Sequence, residues 1–213
     1  MRGGCAAALG ITLVVVGLTG GTVWIGFRLL QEPQVTAAQG TPEDGIRAQQ
    51  KIFDIARAEP ARRGGRPHQT SITEAELNRF LSKNLVEVAR VPVVFGGVRL
   101  PGDGAVELKA LLPLRDVLSS SLVSGLVPTP WLDRRVWLHV SATTSLEVGT
   151  TRSQRRYLRF DVQRLSIGRQ PLPVTLLRVL SSPALQGLLR WRMPEAVEVI
   201  TIEPGAVTIR TSS

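Results

Sequence analysis

The clearest pattern in the chain is a strict alternation of side-chain character between Val136 and Val148. Apolar side chains and one threonine occupy every second position, and tryptophan, histidine, hydroxyl and acidic side chains lie between them. Successive side chains of a β-strand point to opposite faces of a sheet, so the pattern predicts one strand with one buried face. At about 3.3 Å per residue this strand is roughly 40 Å long, about twice the usual length.

A second long strand is predicted directly after the first, beyond residues 149–155, whose sequence GTTRSQR is typical of a turn. Three apolar residues then alternate with polar ones: Leu158, Phe160 and Val162. The alternation changes phase after Arg164, where Leu165 and Ile167 become the apolar pair. An extra residue in one strand of a pair causes such a phase change, so we expect a β-bulge or a bend there.

Two shorter hairpins are predicted from their turn residues. Residues 98–100 and 105–112 flank the sequence PGDG, and a last hairpin within residues 196–210 turns at EPGA. These turn residues permit the positive backbone angles that tight turns require and that other residues resist.

The first helix of the soluble part is predicted from Pro42 to about Ala58. Thr41 is a suitable N-cap, proline suits the first helical position, and two acidic residues follow it in the first turn. Three apolar residues lie close to one side of this helix: Ile46, Phe53 and Ala56.

A second helix is predicted from Glu74 to about Asn84. Thr73 and Glu76 have capping-box spacing, in which each side chain accepts a hydrogen bond from the other residue's backbone N–H. One apolar stripe follows at helical spacing: Leu77, Phe80, Leu81 and Leu85. The opposite, polar side is expected to face water and carries Glu74, Asn78 and Arg79. The Asn78 amide is a candidate to hydrogen-bond the backbone of a neighbouring loop.

Three further segments are predicted to be helical. Residues 114–126 form an amphipathic candidate, and residues 171–182 and 183–193 are dense in leucine. Long strands that are apolar on one face must bury it, and these helices are the available filling. We therefore predict an α+β fold in which a long, curved antiparallel sheet wraps around apolar helices. Its elongated interior either packs tightly or admits an acyl chain.

The chain begins with an apolar stretch. No charged residue occurs from residue 3 to residue 27, roughly 37 Å as a helix, which is enough to span a hydrocarbon core of about 30 Å. Trp24 and Phe27, near its end, suit a membrane interface. We predict a transmembrane anchor over residues 1–30, a linker over 31–41 and one domain over 42–213. A cleaved secretory signal is the alternative, with small residues for cleavage at positions 35–37.

A short N-terminal tail normally stays in the cytoplasm, which predicts a single-pass inner-membrane protein with an extracytoplasmic domain. The net charge is +9, and residues 150–192 hold nine arginines and one acidic residue. This surplus favours contact with anionic lipid headgroups. Four arginines near the predicted hairpin turn are the headgroup candidates: Arg152, Arg155, Arg156 and Arg159. Arginine is preferred to lysine throughout the chain, so a solvated hairpin is the alternative.

The sequence contains no catalytic signature. Its histidines are His68, in a loop rich in glycine, proline and arginine, and His139, on the polar side of the long strand. Metal sites commonly need three or four ligands, and neither a G-x-S-x-G elbow nor a phosphate-binding glycine loop occurs. We therefore expect no enzymatic activity, no metal and no cofactor. Nucleic acid is not an expected partner, because the basic region lacks interleaved aromatic residues apart from Tyr157.

Several stretches resemble membrane-anchored bacterial members of the tubular lipid-binding superfamily. They are the helix ITEAELNRFL, the paired long strands, the segment IGRQPLPVTLL and the ending MPEAVEVITIEPGAVTIR, which together cover most of residues 70–211. The resemblance implies a lipid or other amphiphile held in a groove, without chemistry on it. It transfers apolar positions only, because the family has no fixed catalytic residues.

The predicted function is lipid or amphiphile binding by a membrane-anchored protein of the bacterial cell envelope. The predicted lining residues are Leu77, Phe80, Leu81, Leu138, Val140, Leu146, Leu158, Phe160, Val162, Leu176 and Leu180. Each of these is also what an ordinary core requires. The alternative is therefore a membrane-tethered structural or partner-binding domain with a dry core, which recruits an envelope protein through an exposed strand edge.

Overall fold

The computed structural model describes residues 24, 27–58, 67–89, 94–117, 129–148, 156–175 and 190–212. They form an α+β fold with antiparallel sheets and few helices, which confirms the predicted class at this level. The helices are α1 (Pro42–Arg57), α2 (Glu74–Ala89), α3 (Leu114–Val117) and α4 (Thr129–Leu132). The strands are β1 (His68–Thr73), β2 (Val94–Gly102), β3 (Ala105–Pro113), β4 (Arg135–Val148), β5 (Arg156–Ile167), β6 (Gln170–Leu172), β7 (Arg190–Met193), β8 (Val197–Glu203) and β9 (Ala206–Thr211).

The two long strands are confirmed and form the middle of a larger sheet with the order β2-β3-β4-β5-β6. β4 and β5 pair antiparallel from Leu138 opposite Ile167 to Val148 opposite Arg156. The predicted irregularity is also confirmed, because the register shifts at Gln163, which has no residue opposite it in β4. The extra residue puts the apolar side chains on either side of it onto the same face of the sheet.

β6 and β7 lie along the same edge of β5, one at each end. Leu172 pairs with Leu165 and Arg190 pairs with Arg159. The helical prediction is therefore wrong for Pro171 and Leu172 and for residues 190–193, which are strands. The edge of β5 presents backbone groups that need hydrogen-bond partners, and this long-range requirement overrides the local helical pattern. The intervening residues 176–189, with Leu176 and Leu180, lie outside the described part of the chain.

Both predicted short hairpins are confirmed. Asp103 and Gly104 connect β2 to β3 with φ angles of 52° and 72°, the two positive values that a type I′ turn requires. Pro204 and Gly205 connect β8 to β9, and Gly205 has a φ of 77°. β8 and β9 form a smaller sheet with β1, in the order β1-β9-β8.

Helix α1 begins and ends close to the predicted positions, and Thr41 and Asp44 form a capping box at its start. The side that packs against the protein is not the predicted one. Ala48 and Ile55 are buried, whereas Ile46 is 67% exposed and Phe53 is 50% exposed. Ile55 packs against the three-stranded sheet, so α1 has one apolar side in the core and a second one in solvent.

Helix α2 is longer than predicted and continues through Val86 and Val88 to Ala89. Both residues are β-branched, but valine lowers helix stability by only about 0.5 kcal/mol, which the preceding turns of the helix easily outweigh. In the segment 114–126 that was predicted to be helical, the described residues 114–117 are helical and the others lie outside the description.

Most of the predicted transmembrane anchor, residues 1–30, lies outside the described residues. Trp24 and residues 27–30 are described and helical. Within the described ranges, no helix is both long enough and apolar enough to cross a bilayer.

The two ends of the six-stranded sheet have different surroundings. We call the end where β3 finishes and β4 begins the proximal end, because residues 28–35 cross it. We call the opposite end, where β4 finishes at Val148 and β5 begins at Arg156, the distal end. One buried cluster, which contains Leu138, lies at the proximal end. Another joins β2 to α2 and β8 in the middle of the sheet.

Candidate lipid-binding face

One side of the six-stranded sheet is predominantly apolar. Six of the predicted lining residues lie on it: Leu138, Val140, Leu146, Leu158, Phe160 and Val162. Their shared side follows from the register, because directly paired residues point to the same face. Leu146 pairs with Leu158, and Ala142 pairs with Val162. We call this surface the apolar face and its opposite the outer face.

The proximal part of the apolar face is tightly packed. Leu138 is 8% exposed and clusters with Leu165 and Ile167 of β5. Leu114 and Val117 of α3 cover this cluster. The proximal part is therefore closed hydrophobic core.

The middle part is covered by α2 and the three-stranded sheet. Leu100 of β2 is 2% exposed and packs with Ile202 of β8. Leu77 and Leu81 of α2 pack against the same cluster, as the apolar stripe of that helix predicts. Phe80, the third predicted helix position, is half-buried.

Among the described residues of this face, those of the distal part include no fully buried side chain. Leu146, Leu158, Phe160 and Val162 are all half-buried, although they continue the same face. Trp191 of β7 is 39% exposed and meets the Phe160 ring edge-on, with 5.6 Å between the ring centroids. A hydrocarbon chain lying here would remove this apolar area from water, which is the physical basis of amphiphile binding.

A shallow groove of about 360 Å³ lies beside this distal part, between the 103–104 turn and residues 200–204. Thr144, which pairs with Phe160 on the apolar face, contributes to its lining. The volume falls at the lower end of the range of roughly 300–1,000 Å³ for small-molecule sites. The groove is open and of mixed polarity, with the carboxylates of Asp103 and Glu203 at its border.

The arginines predicted to bind a headgroup do not form one group. Arg152 and Arg155 lie outside the described residues. Arg156 begins β5 and donates a hydrogen bond to the carbonyl oxygen of Val197. Arg159 lies on the outer face, away from Leu158 and Phe160.

The outer face at the distal end is held by ion pairs. The Arg159 guanidinium lies 2.8 Å from the Glu147 carboxylate and 2.9 Å from that of Asp161. The hydrogen bond from Arg159 lowers the pKa of Glu147 below its ordinary value. Arg190 is 3.6 Å from Glu147 and stacks over the Tyr157 ring, with 4.2 Å from the guanidinium carbon to the centroid. Arg159 and Arg190 therefore have acidic partners within the protein.

Most of the predicted linker belongs to a segment that we call the strap, residues 28–40, which is held against the sheet. Lys109 of β3, on the outer face, lies 2.7 Å from the Glu32 carboxylate and 3.1 Å from the Val35 carbonyl oxygen. The Val35 side chain is 8% exposed. The strap has no helix or strand beyond residue 30, but it differs from the expected free spacer.

Two polar residues of α2 bind the strap and β2 at the same time. The Glu74 carboxylate accepts hydrogen bonds from the N–H groups of Ala38, at 2.8 Å, and Leu100, at 2.7 Å. The Asn78 amide donates to the carbonyl oxygens of Ala38, at 2.9 Å, and Val98, at 2.8 Å. It also accepts from the Val98 N–H at 2.6 Å. We call Glu74 and Asn78 the clamp.

The expectation that this side of α2 faces water is confirmed for Arg79, which is exposed, but wrong for the clamp, because Asn78 is 6% exposed and Glu74 is half-buried. The expected hydrogen bonding of Asn78 to a neighbouring backbone is confirmed. The physical reason is that β2 is the edge strand of its sheet, so its outward backbone groups need partners. An amide side chain provides both a donor and an acceptor for them.

Glu76 caps α2 and ties it to α1. The backbone N–H of Thr73 donates to its carboxylate at 2.9 Å, and the Thr73 hydroxyl accepts from the Glu76 N–H at 3.2 Å, which confirms the capping box. Lys51 of α1 lies 2.8 Å from both carboxylate oxygens. Burial acts to raise the pKa of Glu76, but the hydrogen bonds from Lys51 and the Thr73 backbone outweigh it and lower the pKa.

The histidines are far from forming a reactive cluster. His68 is exposed and is the first residue of β1, so the prediction that it lies in a loop is wrong. His139 is half-buried on the outer face, where burial lowers its pKa. Among the residues that the structure describes, its Nε2 has no hydrogen-bond partner, and no group of three or more histidine, cysteine, aspartate or glutamate side chains is placed to hold a metal ion.

The sequence contained one signal for the clamp that the stripe analysis missed. At about 100° per residue, Glu74 and Asn78 each lie about 20° from Leu85 on a helical wheel. They therefore border the apolar stripe instead of opposing it. The strap left no comparable signal, because its contacts with Lys109 join residues more than 70 positions apart.

Comparison of the chain with models of protein families, with curated proteins and with solved structures finds no significant match.

Proposed function

We propose that this chain is a membrane-anchored, extracytoplasmic protein of the cell envelope that binds a lipid or another amphiphile on its apolar face, without catalysis. The observation that carries the proposal is the partial burial of the described apolar side chains in the distal part. Leu146, Leu158, Phe160 and Val162 lie on one face of two unusually long strands and remain half-buried. The resemblance to tubular lipid-binding proteins supports the same function.

The energetics favour an acyl chain as the bound group. Each methylene that leaves water contributes about 0.8 kcal/mol, so a chain needs a long apolar surface more than it needs polar contacts. From Ala142 to Leu146 the strand offers roughly 13 Å of surface that is apolar apart from Thr144. The buried cluster closes the proximal end of the apolar face, so the acyl chain would insert from the distal end or beside β7.

The test uses full-length protein in vesicles that contain a phospholipid with a photoreactive diazirine in its acyl chain. After illumination, peptides that carry the lipid are identified by mass spectrometry. If the distal face binds lipid, the modified peptides contain residues 142–148, 156–162 or 190–193. If modification is confined to the first 30 residues, the lipid-binding proposal fails.

A pair of matched variants separates a lipid site from a dry core. Leu158→Trp places an indole ring on the apolar face, and Ser145→Trp places the same ring at an exposed position on the outer face of the paired strand. A lipid site predicts that only Leu158→Trp loses photolabelling, with its unfolding temperature retained. A dry core predicts instead that Leu158→Trp is destabilised by about 1–3 kcal/mol through overpacking.

A second candidate function is supported by a different observation. Ile46 and Phe53 are two turns apart on the solvent side of α1 and are 67% and 50% exposed. Exposed apolar residues in register on one helix side are typical of a partner-binding surface, which fits a membrane-tethered domain that recruits an envelope protein. Replacing both by serine should abolish crosslinking to such a partner while lipid photolabelling of β4 and β5 is unchanged.

A further inference from the structure

The strap connects the N-terminal segment to one particular end of the sheet. The backbone N–H of Arg169, in the turn after β5, donates to the carbonyl oxygen of Arg28 at 2.9 Å. The Arg169 side chain donates to the carbonyl oxygen of Glu32 at 3.1 Å. Leu29 packs against the proximal cluster. The start of the strap, directly after residue 27, therefore contacts the domain at its proximal end and not at the groove.

Gly168 shows how close this contact is. It has a φ of 58°, and a Cβ atom at this position would lie 2.4 Å from the carbonyl oxygens of both Arg28 and Leu29. Only glycine avoids that overlap while adopting the required backbone conformation. With the clamp on Ala38, this contact fixes the strap to the domain at both of its ends.

The proximal end exposes aromatic and apolar side chains beside this arrival point. Trp24 is 58% exposed and Phe27 is 64% exposed, and across the same end of the sheet Trp131 of α4 is 39% exposed. Each tryptophan has an arginine over its ring. Arg28 lies 4.5 Å from the centroid of Trp24, and Arg134 lies 4.6 Å from that of Trp131. Tryptophan and arginine side chains, each with an apolar body and a polar end, are favoured at membrane interfaces.

The charges at this end are mainly positive among the described residues. Two of the acidic side chains are neutralised within the protein, Asp133 by Arg115 and Glu32 by Lys109. Arg134, Arg135 and Arg169 are exposed. The proximal end thus combines exposed arginines with exposed aromatic side chains. At the distal end Arg159 and Arg190 pair with Glu147, Arg156 donates to a backbone carbonyl oxygen and Arg192 is exposed.

We propose that the proximal end, with Trp131, Arg134, Arg135 and Arg169, lies against the anionic headgroup surface of the bilayer, so that the long strands point away from it. This proposal rests on the membrane anchor of the proposed function. Eleven residue steps along β5 place Arg156 roughly 36 Å from the proximal end. The half-buried apolar residues therefore stand well above the headgroups, and a bound lipid must leave the bilayer completely to reach them.

The experiment places a fluorescent label at either end of the full-length chain. In a Cys5→Ser background, Thr129→Cys carries the label at the proximal end and Ser145→Cys carries it at the distal end, and both positions are exposed. The vesicles contain phosphatidylglycerol and a phospholipid with a nitroxide on its headgroup. We expect roughly tenfold stronger quenching at position 129 than at position 145, because the positions are roughly 30 Å apart along the sheet. Equal quenching, or stronger quenching at position 145, would overturn the proposal.

A second measurement tests the named residues. Trp131→Ala combined with Arg134→Gln should lower the quenching at position 129 severalfold, with an unchanged unfolding temperature, since neither side chain belongs to a buried cluster. Unchanged quenching would show that these residues do not face the bilayer. Extraction of the protein by alkaline carbonate would contradict the anchor and both proposals together, whereas retention without quenching at position 129 contradicts only this one.

Discussion

Leu138 and Leu146 are both leucines on the apolar face of β4, yet they have different surroundings. Leu138, near the proximal end, is 8% exposed and packed beneath α3. Leu146, near the distal end, is half-buried. The alternation along a strand therefore determines which of its sides is apolar. Helices and strands that are distant in the sequence determine how much of that side is buried.

The largest expected effect comes from truncating these two leucines separately. Leu138→Ala should lower the free energy of unfolding by about 3 kcal/mol, because it leaves a cavity in a packed cluster. Leu146→Ala should cost about 1 kcal/mol, because less of its surface is buried to begin with. Chemical denaturation of both variants measures the difference. Equal losses would mean that the distal part is packed as tightly as the proximal part.

The attachment of the strap can be tested apart from this packing. Asn78→Ala removes three hydrogen bonds and leaves buried backbone groups of β2 without partners, so we expect a loss of about 2 kcal/mol. Asn84→Ala is the matched control, since the Asn84 side chain donates, among the described residues, to the Phe80 carbonyl oxygen of its own helix. The idea of a structural clamp fails if the two variants lose the same stability in denaturant titrations.

The contacts of Glu76 with Thr73 and Lys51 lie at neither end of the six-stranded sheet, and their contribution to stability has a defined pH dependence. The folded-state pKa of Glu76 lies below its ordinary value of 4.5. Its stabilising contribution is therefore complete above pH 4.5 and is lost as the pH falls through the lower, folded-state value. Glu76→Gln should cost about 1.5 kcal/mol at neutral pH and should flatten the loss of stability in acid. Parallel acid denaturation curves for variant and parent would contradict this role.

The smallest effect is expected on the outer face of the distal end. Glu147 accepts from Arg159, but its side chain is 35% exposed and that of Arg159 is 53% exposed, so water and salt screen the pair. Glu147→Gln should leave the unfolding temperature unchanged within error. A loss as large as that of Leu138→Ala would show that ion pairs, and not apolar packing, hold the distal end together.

The parts of the fold that the sequence predicted correctly are those governed by local rules. Alternation over thirteen positions admits one interpretation, and the phase change after Arg164 marked the bulge at Gln163 to within a residue. The 103–104 and 204–205 turns were found because their backbone angles restrict the residues that can occupy them. Thr73 and Glu76 predicted the start of α2, because the two hydrogen bonds of a capping box join residues only three positions apart.

The parts that were missed depend on contacts between distant segments. Residues 190–193 have a helical pattern but pair with the edge of β5, and nothing in their own sequence specifies that edge. Ile46 and Phe53 of α1 were predicted to lie on the packed side, yet Ala48 and Ile55 of the same helix face the protein. For the candidate site, the sequence identified the apolar side chains of β4 and β5 but not how far each part of their face is covered.

Trp191 offers the most direct test of the distal face, since it lies on the apolar side next to Phe160. The measurement is its fluorescence in full-length protein with Trp24, Trp131 and Trp137 replaced by phenylalanine, in vesicles whose acyl chains are brominated. A tryptophan introduced as Ser145→Trp with Trp191→Phe reports on the outer face at the same height. Lipid binding predicts that bromine quenches Trp191 and spares position 145. Equal emission of Trp191 in brominated and ordinary vesicles would contradict lipid binding at the distal face.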